Sequence, residues 1–438
     1  MKRKKAGAAI AFILAAAVIC LAWLILGGRK PARIIELGIF VGSSWDVSNP
    51  NTYVIVDDII KKFEEEHPGT KVHYTSGIRK SDYSEWLAQK VLTGDVPDVF
   101  MVLPDDFEKF VSIGAMKDLD SLIEQDDMMS EGQYYEAPYD MGKADGIQYA
   151  LPYEVVPTLM FVNKTLLEEE GYHVPDMDWT WDDLYEIARN VTKDKDGDGL
   201  PDQFGTYNYT WEDAVYANGG RIFSSDGKKS YMSEAPVVES VKFIKKLEEL
   251  NEGENVTQDD FDAGNIAFMP LSFAEYRTYK TYPYKIKKYT NFQWDCITMP
   301  AGPNGENISR VSTLLMGVSR STKSERLSWE LLKLFTNDNR MQMKVYQYSS
   351  GTSALKTVTD SNEAEYILKR DMDVDERVID NQVLSAVIDQ GVAEPKFSKY
   401  EEAMVLADSQ VEDILKDEGN MEVTLKISQR KLDAFLNR

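Results

Sequence analysis

The run Asp194-Lys195-Asp196-Gly197-Asp198-Gly199-Leu200-Pro201-Asp202 sets carboxylates at alternate positions, with glycine sixth. Oxygens so spaced can wrap one hard cation, and the pattern matches the turn of an EF-hand calcium loop. The ligands would be the side chains of Asp194, Asp196, Asp198 and Asp202, with the carbonyl of Leu200. The twelfth position is Gly205, where the full motif carries a bidentate glutamate, so the loop is truncated and its calcium would brace structure. An acidic, glycine-rich surface turn is the plainer alternative. Trp45-Asp46 offers another chemistry, an indole face beside a carboxylate. It stands in a polar loop with Ser43, Ser44, Ser48 and Asn49, just past a predicted strand, at the end where α/β proteins bind ligands. Asp105 is similarly placed after a third strand, although an acid at a helix N-terminus explains it equally well.

Composition narrows the possibilities. The 438 residues include 49 Lys+Arg, 73 Asp+Glu and 3 His, a net charge of −24. Such acidity argues against a nucleic-acid partner, because a phosphate backbone demands clustered Lys and Arg. His67, His73 and His173 leave little room for His-based metal catalysis or a Ser-His-Asp triad. Cys20 and Cys296 are the only cysteines, which excludes a disulfide framework and a Cys-rich metal site. Carboxylates are too plentiful to exclude a glycoside hydrolase with a paired acid and base.

These residues need a scaffold, and hydrophobic periodicity outlines one. Residues 35–41, 71–75 and 99–103 read as strands. Val56, Ile59, Ile60 and Phe63 fall at helical spacing before the stop at His67-Pro68-Gly69, and residues 83–92 and 107–113 are also helical. Alternation in units of this length predicts parallel strands with crossover helices. A second α/β set follows, with strands at 159–162, 266–269 and 296–299. Its helices run over 166–171, from the predicted capping box Thr180/Asp183 to Val191, and over 233–250. Residues 327–347 and the tail from Lys399 are helical again. The length suits two lobes, and with no linker dividing them the chain is expected to cross more than once.

Residues 6–26 form an uninterrupted apolar run long enough to span a bilayer as a helix. Lys2, Arg3, Lys4 and Lys5 precede it, which favours a cytoplasmic N-terminus with the remainder exported. No A-x-A-like cleavage site is evident. Residues 1–33 are therefore expected to be an uncleaved anchor and linker, with a cleaved signal or lipidation at Cys20 as alternatives. Ile19 stands where a lipoprotein signal has a small residue. Cys296, left without a partner, reads as a buried thiol.

Several segments, in order, carry a resemblance. The first is the strand, Trp-bearing loop and helix of residues 35–60, continuing into Lys61-Lys62-Phe63-Glu64 and His67-Pro68-Gly69. Pro97-Asp98-Val99 follows, then Leu151-Pro152-Tyr153 with Leu159-Met160-Phe161-Val162-Asn163-Lys164. Next come Thr180-Trp181-Asp182-Asp183-Leu184 and the run Phe261-Asp262-Ala263-Gly264-Asn265-Ile266-Ala267-Phe268-Met269. Pro300-Ala301-Gly302-Pro303 and Gly317-Val318-Ser319 complete the series. Together they resemble extracellular solute-binding protein family 1, the maltose-binding-protein-like sugar receptors of bacterial ABC transporters.

The resemblance implies a two-lobed α/β fold of the periplasmic-binding-protein class II type. Residues 34–152 with 301–355 would form the first lobe. Residues 153–300 with 356–438 would form the second, carrying the calcium-like loop and the C-terminal helices. Crossings are expected near 153–158, 300–312 and 352–359, with ligand in the cleft and closure driven by preferential binding to the closed state. The implied role is capture of a carbohydrate, an oligosaccharide, and its delivery to ABC permease subunits. The chain would act without catalysis, as a monomer at the outer face of the membrane.

Sugars are held by aromatic faces on the apolar side of the ring, with carboxylates and amides taking hydroxyl hydrogens. The chain's 8 Trp and 23 Tyr are an ample supply. The resemblance puts Tyr153 and Glu154 at the cleft floor, and Trp211, Glu212 and Asn218 on the second-lobe wall. Tyr276 and Arg277 fall where the family often carries a cleft tryptophan, a departure from its pattern. With Trp45, Asp46 and Asp105, these residues make the expected ligand set. Trp86, Trp181, Trp294 and Trp329 are expected to be structural. The same fold binding a polyamine or other cation, or acting as an anchored sensor, competes with the sugar reading. Solvated faces such as Glu64-Glu65-Glu66 account more simply for the acidity.

Overall fold

The computed structural model describes residues 33–45, 47–281, 292–370, 379–395, 397–416 and 419–438. The expected membrane segment and Asp46 lie outside the described residues. Among the described residues, no helix is long and apolar enough to cross a membrane.

Strands β1 (Arg33–Gly38), β2 (Thr70–Tyr74) and β3 (Val99–Val102) are parallel and joined by helices Thr52–Glu66 and Lys80–Thr93. The first helix buries Ile55, Val56, Ile59 and Phe63, one stripe at helical spacing, and the second buries Tyr83 and Leu87. A short hairpin, β4 (Lys143–Ala144) and β5 (Ile147–Gln148), precedes β6 (Ala150–Asn163), a strand of 14 residues. Then come β7 (Phe204–Thr206), β8 (Ile266–Ser272), β9 (Trp294–Ile297) and β10 (Val311–Val318). The order β2-β1-β3-β10-β6-β8-β7, with β9 also on β6, carries one path of strands across both lobes.

Parallel pairing holds only in part. β10 is antiparallel to β3 and β6, and β6 is antiparallel to β8 and β9. The cause is connectivity. The chain enters β10 from the second lobe, so it must run back against strands that leave the first. β6 itself is the hinge element. Ala150–Pro157 pairs with β10, and Thr158 onward pairs with β8 and β9.

Two hydrophobic cores result. One gathers Ile35, Phe63, Tyr83, Phe100, Leu315 and Phe335, and the other Trp181, Leu184, Val215, Phe243, Phe268 and Leu425. Trp181 stacks on Phe243 with centroids 4.3 Å apart, below the observed Thr180/Asp183 capping box. The expected helix over 327–347 is two, Glu325–Thr336 and Asn339–Tyr348. Asp338 separates them and caps the second by accepting from the Met341 N–H at 3.0 Å.

The lobe boundaries also differ from expectation after residue 355. Val358, Leu368, Leu384 and Ile388 belong to the first core, and Tyr135 donates to Asp360 at 2.9 Å. These helices cover apolar first-lobe surface, so the chain joins the second lobe only beyond Val392. There the Val311 N–H donates to the Val392 carbonyl and the Val392 N–H to the Ser309 carbonyl, both at 2.9 Å, on either side of Arg310. Gly391 permits this approach, since a Cβ there would stand 2.2 Å from Val311 Cγ2. Helices Tyr400–Lys416 and Met421–Leu436 then complete the second core.

Candidate functional site

Two adjoining cavities open where the lobes meet. The larger, about 430 Å³, is lined by Pro104, Phe107, Glu108, Glu136, Asp140, Met141 and Lys143 from the first lobe. Ser225 and the crossing segment Gly391–Pro395 line its other side. The smaller, about 160 Å³, is lined by Ser44 and Trp45 after β1, by Lys80, Leu103 and Asp105, by Ser312 of β10, and by Glu394 and Glu401. Pro104, Met141 and Glu394 line both, so the chambers form one cleft.

Loop chemistry positions these groups. The β1 loop is pinned at Thr52, whose hydroxyl donates to the Gly42 carbonyl while accepting from the Gly42 N–H, both at 3.1 Å. Pro104 starts a single turn that presents Asp105 outward and buries Asp106. Burial pulls the Lys143 ammonium down, but bonds to Asp140 (2.6 Å) and Glu131 (2.8 Å) outweigh it and hold it above its ordinary value. Burial and the neighbouring Asp145 charge push the Glu108 carboxyl up.

Behind Glu394 lies a shared cation. Arg310 donates from Nε to Asp213 (2.7 Å) and from Nη1 to Glu212 (2.6 Å) and Glu394 (3.1 Å). One guanidinium cannot satisfy three carboxylates equally. Burial, with Asp408, Glu394 and Asp213 nearby, pushes Glu212 up to about 8 despite the Arg310 contact. We take Glu212 as the surplus acid of this group, since Asp213 is more deeply buried and holds the Nε bond.

Of the expected ligand set, Trp45 and Asp105 line the cleft. The other described members do not, each for a physical reason. Tyr153 is 3% exposed and packs edge-on against Phe335. Glu154, beside it in β6, is buried and accepts the Gly351 N–H at 2.5 Å. Burial pushes its carboxyl up against the lowering influence of Ser349, Gly351 and Trp45. Trp45 Nε1 and Ser349 Oγ lie near that carboxylate without reaching full hydrogen-bond geometry. Arg277 donates to the carbonyls of Tyr346, Gln347 and Gly351, locking the same crossing.

Tyr276 is fully buried among Phe161, Phe273 and Trp294, and its hydroxyl accepts the Ile379 N–H at 3.1 Å. Trp211 is 7% exposed within the second core, with Nε1 bonded to Asp408 at 2.9 Å. Asn218 is fully buried, donating to Pro236 and Glu239 and accepting from Asn304. Tyr153, Glu154, Trp211, Asn218, Tyr276 and Arg277, expected to face a ligand, thus stand in a core or a crossing and outside the lining of the two chambers.

Several cleft residues escaped the sequence reading. Glu394 follows Gly391 in a Gly/Pro-flanked segment, a signal that could have marked a crossing. Glu108, Glu136 and Glu401 carry no such mark in an acid-rich chain.

In the acidic loop, carboxylate oxygens of Asp194, Asp196 and Asp202 come within 4.8 Å of one another. Asp194 accepts the N–H groups of Gly197 (2.6 Å) and Gly199 (2.8 Å), which hold its carboxyl below the usual range. Asp196 accepts from Asp198, and Asp202 from Lys195. An ionised carboxylate offers about four lone-pair sites, so acceptor capacity remains for a cation. Asp198 caps the Leu200 N–H and stays outside the converging group.

The chain matches the family model of the bacterial extracellular solute-binding protein over residues 49–339. The Multiple sugar-binding protein of Streptococcus mutans is 29% identical over 140 residues, 32% of this chain and only 30% of that protein's length. Among solved structures, the sugar-binding protein MalE of Xanthomonas citri superposes with a TM-score of 0.75 at 15% identity, covering 92% of this chain and 97% of that one. The cyclic alpha-maltosyl-1,6-maltose binding protein of Arthrobacter globiformis gives 0.73 at 14%, covering 92% and 99%. An ABC substrate-binding protein of Listeria monocytogenes in complex with cycloalternan gives 0.66 at 20%, covering 93% and 99%. A family match over well more than half of the sequence, on a two-lobed fold with its cleft at the hinge, leads to one assignment: the chain belongs to the bacterial extracellular solute-binding protein family.

Proposed function

We propose that this protein captures a carbohydrate, an oligosaccharide, between its lobes and delivers it unchanged to the permease of an ABC transporter. The observation that carries the reading is the pair of chambers at the lobe boundary, where the Trp45 face stands beside carboxylates from both lobes. Their volume lies in the range of small-molecule sites. The relatives named above are sugar receptors, which favours the same ligand class here. Lobe closure would form the surface read by the permease, and one chain supplies the whole cleft, so a monomer suffices. Residues 6–26 would tether the protein at the outer face of the membrane.

Calorimetric titration with an oligosaccharide panel, followed by chromatography of the recovered sugar, tests the reading. Saturable binding of one glycan class with no product is expected. A panel without any binding sugar, or one that is cleaved, would refute it. Trp45→Ala should weaken that binding at least tenfold while the melting temperature stays close to the parent's. Unchanged affinity would remove Trp45 from the site.

We further propose a structural calcium ion at Asp194, Asp196 and Asp202, with the Leu200 carbonyl as a further ligand and Asp198 supporting the turn. Calcium should raise the melting temperature, and D196N/D202N should abolish that rise while melting with the parent in chelator. Equal behaviour of parent and variant in calcium would sink the site.

A further inference from the structure

Glu154 is only 4% exposed and lines neither chamber. A carboxyl so placed needs partners, because an isolated charge away from water is costly. Three donors surround it. The Gly351 N–H bonds to it, and the crossing is pressed close there, since a Cβ at Gly351 would stand 2.6 Å from Glu154 Cγ. Val155 and Thr352 exchange backbone bonds of 2.9 and 2.8 Å, which keep the crossing in that position. The other two donors are Trp45 Nε1 and Ser349 Oγ. Both are buried near the carboxyl, and neither has a hydrogen-bond partner elsewhere among the described residues. An ionised carboxyl has about four acceptor sites, enough for all three donors. Arg277, which clamps the same crossing, adds a favourable charge.

Trp45 supplies the second observation. Its side chain is half-buried and lines the smaller chamber, yet its one polar atom is fully buried. One edge of the indole is therefore turned into the protein while the rest of the ring borders the cleft. A tryptophan in a polar loop can turn about two side-chain torsions, and a stacking platform works only if its face is held towards the ligand. Buried indole N–H groups normally find an acceptor. Here the carboxyl of Glu154 is within reach.

We propose that Glu154 is a positioning residue: from the hinge strand β6 it takes the Trp45 indole N–H and so holds the ring face towards the cleft, while the Gly351 contact fixes the carboxyl itself. It acts on a ligand only through Trp45. The use of Trp45 as a platform rests on the carbohydrate-capture reading, whereas the positioning of its ring does not. A large side chain ordered in advance removes part of the ordering cost of binding, an effect of about three- to tenfold in affinity.

The test is magnetic resonance of the full-length chain with isotope-labelled tryptophan, in which Trp45→Phe identifies the Trp45 indole signal. Glu154→Gln keeps the size of the side chain and exchanges one acceptor oxygen for a donor N–H₂. Its melting temperature should stay near the parent's, while the Trp45 indole proton moves upfield by more than that of any other tryptophan. Titrations with oligomers of glucose, galactose, xylose and N-acetylglucosamine give a second readout. Affinity should fall about three- to tenfold in Glu154→Gln, and the same substitution should have no further effect in the Trp45→Phe background. An unmoved Trp45 signal would overturn the proposal. An equal loss of affinity in the Trp45→Phe background would also overturn it, because the carboxyl would then act through the crossing or on the sugar itself. If Glu154→Gln does not fold, solvent exchange of the Trp45 indole proton in the parent decides: slow exchange supports the bond, and exchange as fast as that of free indole overturns it. Silence from every oligomer would refute the capture reading, with the indole signal still deciding the positioning.

Discussion

Replacing Arg310 with alanine is expected to lower the unfolding free energy by about 3 kcal/mol, the scale of a buried ion pair that loses one partner. The guanidinium is the cation shared by Asp213, Glu212 and Glu394, whose side chains are 3%, 16% and 19% exposed. Without it, Asp213 and Glu394 are left as unpaired charges beside the Glu212 carboxyl in a poorly hydrated space at the root of β10. The loss therefore measures stranded charges rather than the net worth of the network. Arg310→Lys should recover only part of it, because an ammonium cannot reproduce the forked contacts to Asp213 and Glu212. Urea unfolding with an unchanged denaturant slope is the measurement. A drop below about 0.5 kcal/mol, the level of an ordinary surface substitution, would mean that water already solvates this group.

What the amino-acid sequence disclosed follows from range. Local rules were readable: the Thr180/Asp183 box opens its helix as expected, and the apolar stripe Val56-Ile59-Phe63 buries the face it predicts. The ordered segments were enough to imply the family and hence the two-lobed fold. The direction of β10 was not readable, because an apolar octet looks alike whether it runs with its neighbours or against them. Nor was the fate of individual aromatics. Trp45, Trp211 and Tyr276 each stand beside a charged residue, yet only Trp45 reaches the cleft. Trp211 is drawn inward by Asp408, 197 positions later, and Tyr276 by a ring cluster of Phe161 from β6, Trp294 from β9 and Phe273 just after β8. Such partners are set by tertiary contact, which no spacing rule reports. The same limit hid Glu394, an acid made significant by Arg310 of β10 and by the close passage of Gly391.

The Arg310 group also predicts a pH dependence of distinctive sign. Glu212 is pushed up to about 8 by burial and by its acidic neighbours, whereas an unfolded glutamate titrates near 4.3. Between those values the native state binds the extra proton, so stability is fully present below about pH 4 and falls as pH rises towards 8. The ceiling of the effect, set by the separation of the two values, is about 5 kcal/mol. Glu212→Gln should flatten stability between pH 5 and 8.5 and make the variant the more stable protein at the upper end. Glu170 works in the opposite sense. Its bonds to Lys193, Gln203 and Lys195 outweigh burial and hold it at about 2, so its contribution is lost only as pH falls through the acid range, below the Glu212 window. Denaturant midpoints taken across the window separate the two. The same downward slope in parent and Glu212→Gln would show that another group carries it, and that Arg310 already keeps all three of its carboxylates ionised at neutral pH.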